Sequence, residues 1–414
     1  MDDILFLAHR IPYPPDKGDK IRSWHMLRHL AARARVHLGA FVDDPADMAH
    51  ADMLRSLCAS VKLLPIGGPA RALRAGRGLL AGAPLSVALF ADAAMRRWVD
   101  TTVASNPVRG LFAFSGQMAP YVLRHVRGRR TIMDFVDLDS EKWAQYARES
   151  RGPRAWVYAR EARRLLAFEA AVAARVDATL FVSEDEAALF RARAGVAGAR
   201  VHALSNGVDL AYFDPQAEFA RSPVEGHDLR GPIFVFTGAM DYRPNTDAVR
   251  WFADAVWPTL TSRMPDARFL IVGSKPGPEV RALGERANII VTGRVADVRP
   301  YVAAATMIVA PLRIARGIQN KVLEAMAMAR PVVATPQARE GIDAVPGRDL
   351  AVAADAHDFA VACRALAADP TAAAALGNAA RARVVACYAW EPKLRLLDDL
   401  LLESSGTRAA REAA

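Results

Sequence analysis

Short apolar runs alternate with stretches of helical spacing along most of the chain. The runs Ile4–Ala8, Val36–Phe41, Val61–Pro65, Gly110–Phe114, Thr131–Val136 and Ala178–Val182 predict strands, because each is nearly unbroken and has the length of a strand buried on both faces. Asp19–Ala32 and Ala88–Thr102 lie between them with helix-like spacing. Strands that alternate with helices predict a parallel sheet built from right-handed crossovers.

The alternation breaks at Pro215–Pro232, where Pro215, Pro223, Gly226, Gly231 and Pro232 stand among charges. Such a stretch reads as an interdomain linker. Alternation then restarts. Ile233–Thr237, Arg268–Val272, Ile289–Thr292, Met307–Ala310 and Pro331–Ala334 predict strands. Pro244–Leu260, Gln319–Ala329, Ala356–Ala368, Thr371–Val385 and a last segment from Trp390 to about Glu403 predict helices. The expected organisation is an α/β chain of two open parallel-sheet domains. Residues 1–215 form an N-terminal domain, 216–231 a linker and 232–387 a C-terminal domain. Residues 388–414 form a C-terminal helix and polar tail, the helix packing back on the first domain. Ligands of such sheets bind at the carboxyl ends of the strands, here expected in the cleft between the domains.

The chain's 414 residues exceed what a single core comfortably supports, which agrees with two domains. With 52% hydrophobic and 24% charged residues, it is globular rather than disordered. The net charge of +9 suits an anionic substrate or membrane surface. No zinc-finger spacing or RNA-binding aromatic signature accompanies it, so nucleic acid is not an expected partner. Three scattered cysteines, Cys58, Cys363 and Cys387, form neither a disulfide framework nor a zinc site, and suit a reducing cytoplasm. The first residues lack the basic region of a signal peptide. No run of about 18 apolar residues without charge predicts a membrane span. The segment Pro153–Arg175 reads as a long basic helix, with Arg160, Arg163 and Arg164 on one side and Leu165, Leu166 and Phe168 as apolar contacts. That side is either simply solvated or docked on anionic lipid headgroups.

The most informative segment is Arg313–Glu324. A glycine-containing turn after a strand feeds a helix whose free N–H groups and dipole favour a phosphate. Lys321 adds a full charge in the first turn, and Glu324, three residues on, shares its face and suits a pair of ribose hydroxyls. Arg313 and Arg316 in the loop have the fork that grips a diphosphate. The same spacing also fits an ordinary Lys–Glu pair on a solvated helix. At the end of the fifth strand, Asp137 is placed to orient or deprotonate an attacking hydroxyl, while Asp139 or Ser140 is expected to cap the next helix. His9, after the first strand, reads chiefly as a hydrogen-bonding residue.

Several of these stretches resemble one family. Phe236–Asn245 is similar to the first βα loop of the donor domain in family-4 retaining glycosyltransferases. Gly317–Ala327 followed by Pro331–Thr335, Ser205–Asp209 with Phe213 and Pro215, and Thr292–Val295 with Asp297 resemble further motifs of that family, in its order. In the N-terminal half, Arg10–Arg22 and Asp134–Ser140 resemble the sugar transferases associated with exosortase (PEP-CTERM) systems, found in exopolysaccharide gene neighbourhoods.

The resemblance implies a GT-B fold, two Rossmann-like domains facing across a cleft. It also implies a metal-independent, cofactor-free transfer from a nucleoside-diphosphate sugar to a glycan or lipid-linked acceptor, on or beside the inner face of the cytoplasmic membrane. Glu324 would bind the donor ribose. Lys321, Asn320 and the backbone of Gly317 and Ile318 would hold the diphosphate. Gly18 and Gly238 would let the chain approach the phosphates closely, Arg294 and Val295 would border the base, and Arg243 would supply further charge. One departure stands out: the family's motif carries two glutamates with seven residues between them, and the first falls on Arg316. A sugar-nucleotide 2-epimerase of the same shape and a non-catalytic sugar-nucleotide-binding subunit are the alternative functions.

Overall fold

The computed structural model describes residues 3–67, 82–195, 198–219, 224, 229–315 and 318–402. The chain divides into two compact units. Unit 1 holds Met1–Asn206 and returns from Glu391 onward; unit 2 holds Gly207–Trp390.

Unit 1 is built on a seven-stranded sheet: β1 (Asp3–Ala8), β2 (Arg35–Val42), β3 (Ser60–Pro65), β4 (Val108–Phe114), β5 (Arg130–Val136), β6 (Ala178–Phe181) and β7 (Val201–Ala203), in the order β3-β2-β1-β4-β5-β6-β7. Every pairing is parallel, with Ile4 opposite Val36 and Leu5 opposite Leu111. The central strands are apolar on both faces because helices cover both; all six residues of β1 are buried. From Glu391 on, the C-terminal helix Trp390–Leu397 and the π-turn Asp398–Leu402 belong to this unit. His29 Nε2 meets Asp398 at 2.8 Å, and Arg130 donates to the Leu400 carbonyl at 3.5 Å.

Unit 2 holds six strands, β8 (Ile233–Thr237), β9 (Arg268–Val272), β10 (Ile289–Gly293), β11 (Met307–Ala310), β12 (Val332–Ala334) and β13 (Ala351–Val352), in the order β10-β9-β8-β11-β12-β13. Its core includes Phe234, Phe252, Phe269, Val309 and Met326, all fully buried.

Three departures from expectation have local causes. Strands β7 and β13 are three and two residues long, too short to show a period. The helix expected over Pro244–Leu260 is instead a helix at Arg243–Trp251, a π-turn at Phe252–Val256 and a helix at Trp257–Thr261. Pro258 explains the break: it has no N–H for the carbonyl four residues back, and its ring crowds that carbonyl. The helix expected at Ala88–Thr102 runs Ala93–Ser105, because Asp92 caps it through the N–H groups of Ala94 and Met95 at 2.8 and 3.2 Å.

Candidate functional site

In unit 2 the chain leaves β8 toward β9 on one side, and leaves β11 toward β12 on the other. The strand order therefore reverses between β8 and β11, the position at which open parallel sheets open a crevice for ligands. Three segments meet there: the β8 loop from Gly238, the β9 loop at Gly273, and the helix Asn320–Ala327 after β11.

The first two approach closely at the backbone. Gly238 donates to the Val272 carbonyl at 3.0 Å, and Met240 donates to the Ser274 carbonyl at 2.8 Å. A Cβ on Gly273 would lie 1.7 Å from the Gly238 oxygen, so no other residue fits. Gly238 itself has φ +156°, and a Cβ there would stand 2.7 Å from Asn245 Nδ2 and 3.0 Å from Lys321 Nζ. The glycine thus leaves the lysine uncovered.

Lys321 is held without direct neutralisation by its hydrogen-bond partner. Its ammonium donates to Asn245 Oδ1 at 2.5 Å and sits 4.3 Å from the centre of the Phe236 ring, a cation–π contact. Asn245 is fixed in turn, its Nδ2 donating to the Ala239 carbonyl at 2.8 Å. Burial pulls Lys321 down to about 7, against the opposing charge of Glu324; burial likewise pushes Glu324 up to about 7, against Lys321. Both shifts have one origin, two ionisable groups removed from bulk water. A negative charge beside a lysine favours its protonated form. Asn320 opens the helix, and its Oδ1 is buried without a partner among the described residues.

The other expected donor residues are distributed around this centre. Arg313 closes its fork on Asp247, at 2.5 and 3.1 Å. Arg243 is the exposed first residue of its helix. Ile318 and Val295 pack at the edge of the unit 2 core, and Arg294 is exposed just beyond β10. Asp297, in the same loop, takes a bidentate Arg299, whose guanidinium lies 3.8 Å over the Tyr212 ring. Arg316 and Gly317 lie outside the described residues, as does part of the expected linker 216–231 and the tail from Glu403.

Unit 1 holds Gly18 and Asp137. Gly18 begins the helix Gly18–Ala31. That helix carries Arg22, which is fully buried. It donates to both Asp134 oxygens at 2.8 and 3.2 Å, to the Leu204 carbonyl at 2.5 Å and to Asn206 Oδ1 at 3.1 Å. The two N-terminal motifs are thereby joined through one ion pair. Asp134 also accepts from Val136 N–H at 2.9 Å, and its carbonyl accepts from Ser115 N–H at 2.7 Å.

Ser115 and Val136, at the ends of the adjacent strands β4 and β5, have φ of 75° and 70°. For a β-branched residue this is an uncommon and strained conformation. Asp137 N–H donates to the Phe135 carbonyl at 3.0 Å, which makes Val136 the centre of a positive-φ γ-turn, a rare and strained kind. Asp137 itself is paired with Lys142 at 2.7 Å, and Asp139 shares that lysine at 3.1 Å. Burial would lower Lys142, but Asp139 and Asp137 hold it above its ordinary value.

Asp139 is the first helical residue rather than a cap, and Leu138 at the cap position offers no side-chain acceptor. The Asp139 carboxylate is held by Lys142 instead, and the Leu138 N–H donates to Glu186 at 2.7 Å. Ser140 turns inward, its hydroxyl donating to the buried Glu169 at 2.6 Å. His9 lies against Phe114 with its ring nearly parallel and Nε2 3.4 Å from Asp19.

The structure therefore gathers Gly238, Lys321 and Glu324 in unit 2, and adds Asn245, Phe236 and Gly273 to them. None of these three was assigned a role from sequence. A glycine directly after the apolar run Arg268–Val272 was the available signal for Gly273; for the other two, only the folded contact reveals the role.

Residues 231–369 match the family described as Glycosyl transferases group 1. No curated protein matches the chain. Solved structures do. Sucrose-phosphate synthase (tll1590) from Thermosynechococcus elongatus superposes over 100% of both chains with a TM-score of 0.67 at 20% identity. Alr3699/HepE of Anabaena, in complex with UDP and glucose, covers 96% of this chain and 99% of its own, with a TM-score of 0.65 at 14% identity. WaaG, a glycosyltransferase involved in lipopolysaccharide biosynthesis, covers 97% and 100%, with a TM-score of 0.65 at 16% identity. At these identities the structures establish the fold, which is GT-B. The group 1 domain in unit 2 and this fold together support a glycosyltransferase.

Proposed function

We propose that the chain is a retaining glycosyltransferase that moves a sugar from a nucleoside-diphosphate sugar to a glycan or lipid-linked acceptor. On this reading it serves exopolysaccharide biosynthesis, beside the inner leaflet, as a family-4 enzyme of the exosortase-associated kind. The observation that carries the reading is Lys321 and Glu324 at the strand-order reversal of unit 2, beside a glycine that leaves the lysine uncovered.

Lys321, Asn320 and the backbone around Gly317 and Ile318 hold the diphosphate, with Arg243, Arg313 and Arg316 adding positive field. Glu324 accepts from the ribose hydroxyls, and Arg294 and Val295 border the base. Gly18, at the start of its helix in unit 1, leaves room for a phosphate beside the backbone. In the reaction the bond from the sugar's anomeric carbon to the diphosphate oxygen breaks, and the electron pair leaves with the diphosphate. The acceptor oxygen forms the new bond on the face the diphosphate left, and its proton passes to the departing diphosphate oxygen. Fixed positive charge on the departing group lowers that barrier without a metal. Asp137, tethered by Lys142, orients the acceptor hydroxyl. A relative that carries UDP and glucose, or UDP-glucose, supports uridine donors as the first to try.

Thermal stability with UDP, GDP, ADP and TDP, repeated on Glu324→Ala, tests the site. A ligand at about 100 times its Kd adds roughly 2.7 kcal/mol. Selective stabilisation by one nucleotide, lost in the variant, is the expected result; a folded protein that none of them stabilises overturns the reading. Release of free nucleoside diphosphate only in the presence of acceptor then separates a transferase from an epimerase or a binding subunit.

A further inference from the structure

The helices Asp139–Glu149 and Pro153–Ala173 pack together as a hairpin in unit 1. The inner side of the longer helix is closed by Glu161, Ala162, Leu165, Glu169 and Val172, all buried. At 3.6 residues per turn, Trp156, Val157, Arg160, Arg163, Arg164 and Ala167 share the opposite side. Of these, only Arg160 is partly covered, reaching the Ala83 carbonyl at 3.5 Å; the others are exposed. The acids of this helix, Glu161 and Glu169, both turn inward, so its outer side carries positive charge with no carboxylate.

The end of the hairpin is apolar and aromatic as well as basic. Trp156 is 64% exposed, Tyr146 48% and Val157 37%. Tyr146 is held in place by Trp143 and Tyr158, with ring centres 5.9 and 6.0 Å away. Arg151 and Arg154 stand exposed at this end, and Arg148 beside them is paired with Glu141 at 2.9 Å. Glu149, the exposed acid nearest the turn, is bonded to Gln145 at 2.6 Å.

An exposed tryptophan beside a tyrosine packed on two rings, with arginines around and behind them, matches the headgroup layer of a bilayer. The rings settle between apolar chains and water, and the guanidinium groups meet lipid phosphates. A second copy of the same side would bring arginine against arginine, which opposes self-association. Among the described residues no single helix is long and apolar enough to cross a membrane.

We infer that the hairpin Asp139–Ala173 is a docking surface for anionic lipid, entered by Trp156 and Tyr146 and held by Arg163 and Arg164. The inference rests on the lipid-linked acceptor proposed above for its purpose, though not for its physics. Co-sedimentation of the full chain with vesicles of phosphatidylcholine alone, and of phosphatidylcholine mixed with phosphatidylglycerol, tests it. The chain is expected to bind the mixed vesicles, and to release them at high salt. The joint change Arg163→Glu with Arg164→Glu is expected to weaken that binding by about tenfold or more, and Trp156→Ser by several-fold. Circular dichroism checks that the variants fold.

Binding that ignores vesicle charge, or that survives both variants unchanged, overturns the inference. A dimer in sedimentation velocity that the same variants split would assign the surface to a second copy and overturn it too. A nucleotide-induced thermal shift on each sample keeps the two readings apart. Vesicle binding without that shift defeats only the donor site; the shift without charge-dependent vesicle binding defeats only the docking surface.

Discussion

At the carboxyl end of the unit 2 sheet Arg313 is answered by Asp247, but Lys321 is held differently from the cations at the carboxyl end of the unit 1 sheet. In unit 1 the cations near the strand ends are answered by carboxylates: Arg22 by Asp134, Lys142 by Asp137 and Asp139, and Lys20 by Asp47 and Asp16. In unit 2, Lys321 is held by an amide oxygen and an aromatic face, with Glu324 as the carboxylate that acts on it. A cation already paired gains little from an incoming anion. One held by neutral groups in a partly dehydrated place gains much, because the protein has met the cost of orienting it beforehand. By this comparison unit 2 is built to receive an anion, and unit 1 to hold its loops in one shape.

The sharpest way to break the comparison is Lys321→Met. Turnover should fall by about two to three orders of magnitude, corresponding to roughly 2.7–4 kcal/mol of lost leaving-group stabilisation, read as acceptor-dependent release of nucleoside diphosphate. The same lysine sets a pH dependence. Its value near 7 lies below that of a free lysine, so its charge is lost as pH rises through 7. Nucleoside-diphosphate affinity, measured by calorimetry, should therefore fall from pH 7 to pH 9, and Lys321→Arg should flatten the decline. Full turnover in the Met variant would mean that the charge on the diphosphate comes from elsewhere.

A smaller effect is expected in unit 1 from Val136→Gly. The γ-turn costs about 1–3 kcal/mol for a side chain of this kind, and glycine adopts it freely but does not hold it. Donor binding should stay the same while the acceptor-dependent rate drops several-fold, with Val136→Asn nearer to the parent because asparagine tolerates positive φ. Equal rates in all three proteins would reduce the turn to a feature of the scaffold.

The smallest effect concerns Glu169, which burial pushes up to about 8. Its folded value lies above the unfolded one, so the folded chain holds the extra proton between about 4.5 and 8. The stabilisation this brings is fully present below that window and is lost as pH rises through 8. Glu169→Gln should remove that decline, so the variant's thermal midpoint gains on the parent's between pH 6 and pH 9. Parallel curves for the two proteins would show that Glu169 is ionised throughout.

Much of this molecule was readable before any fold was known. The strands Ile233–Thr237, Arg268–Val272 and Met307–Ala310 appear with the expected bounds, because a strand buried on both faces writes itself as an unbroken apolar run. The Lys321–Glu324 spacing was legible as one helix face, since three residues along a helix is a fixed geometry. Asn245 was less so: its neighbour Lys321 is 76 positions away, and local spacing carries no information over that distance. The cap assigned to Asp139 failed for a different, local reason: the helix starts at Asp139 itself, and its carboxylate bonds to Lys142 three positions on.

What the sequence determined alone, then, is the alternation of elements, the two sheets it implies and the helix that carries Lys321 with Glu324, all consequences of periodicity and short-range sterics. The tertiary structure decided which charges are already answered. It closed Arg313 on Asp247, buried Arg22 against Asp134, and left Lys321 on an amide and a ring. A residue's type states its charge, but its partner and its loss of water depend on chain segments that meet only once the sheets have formed.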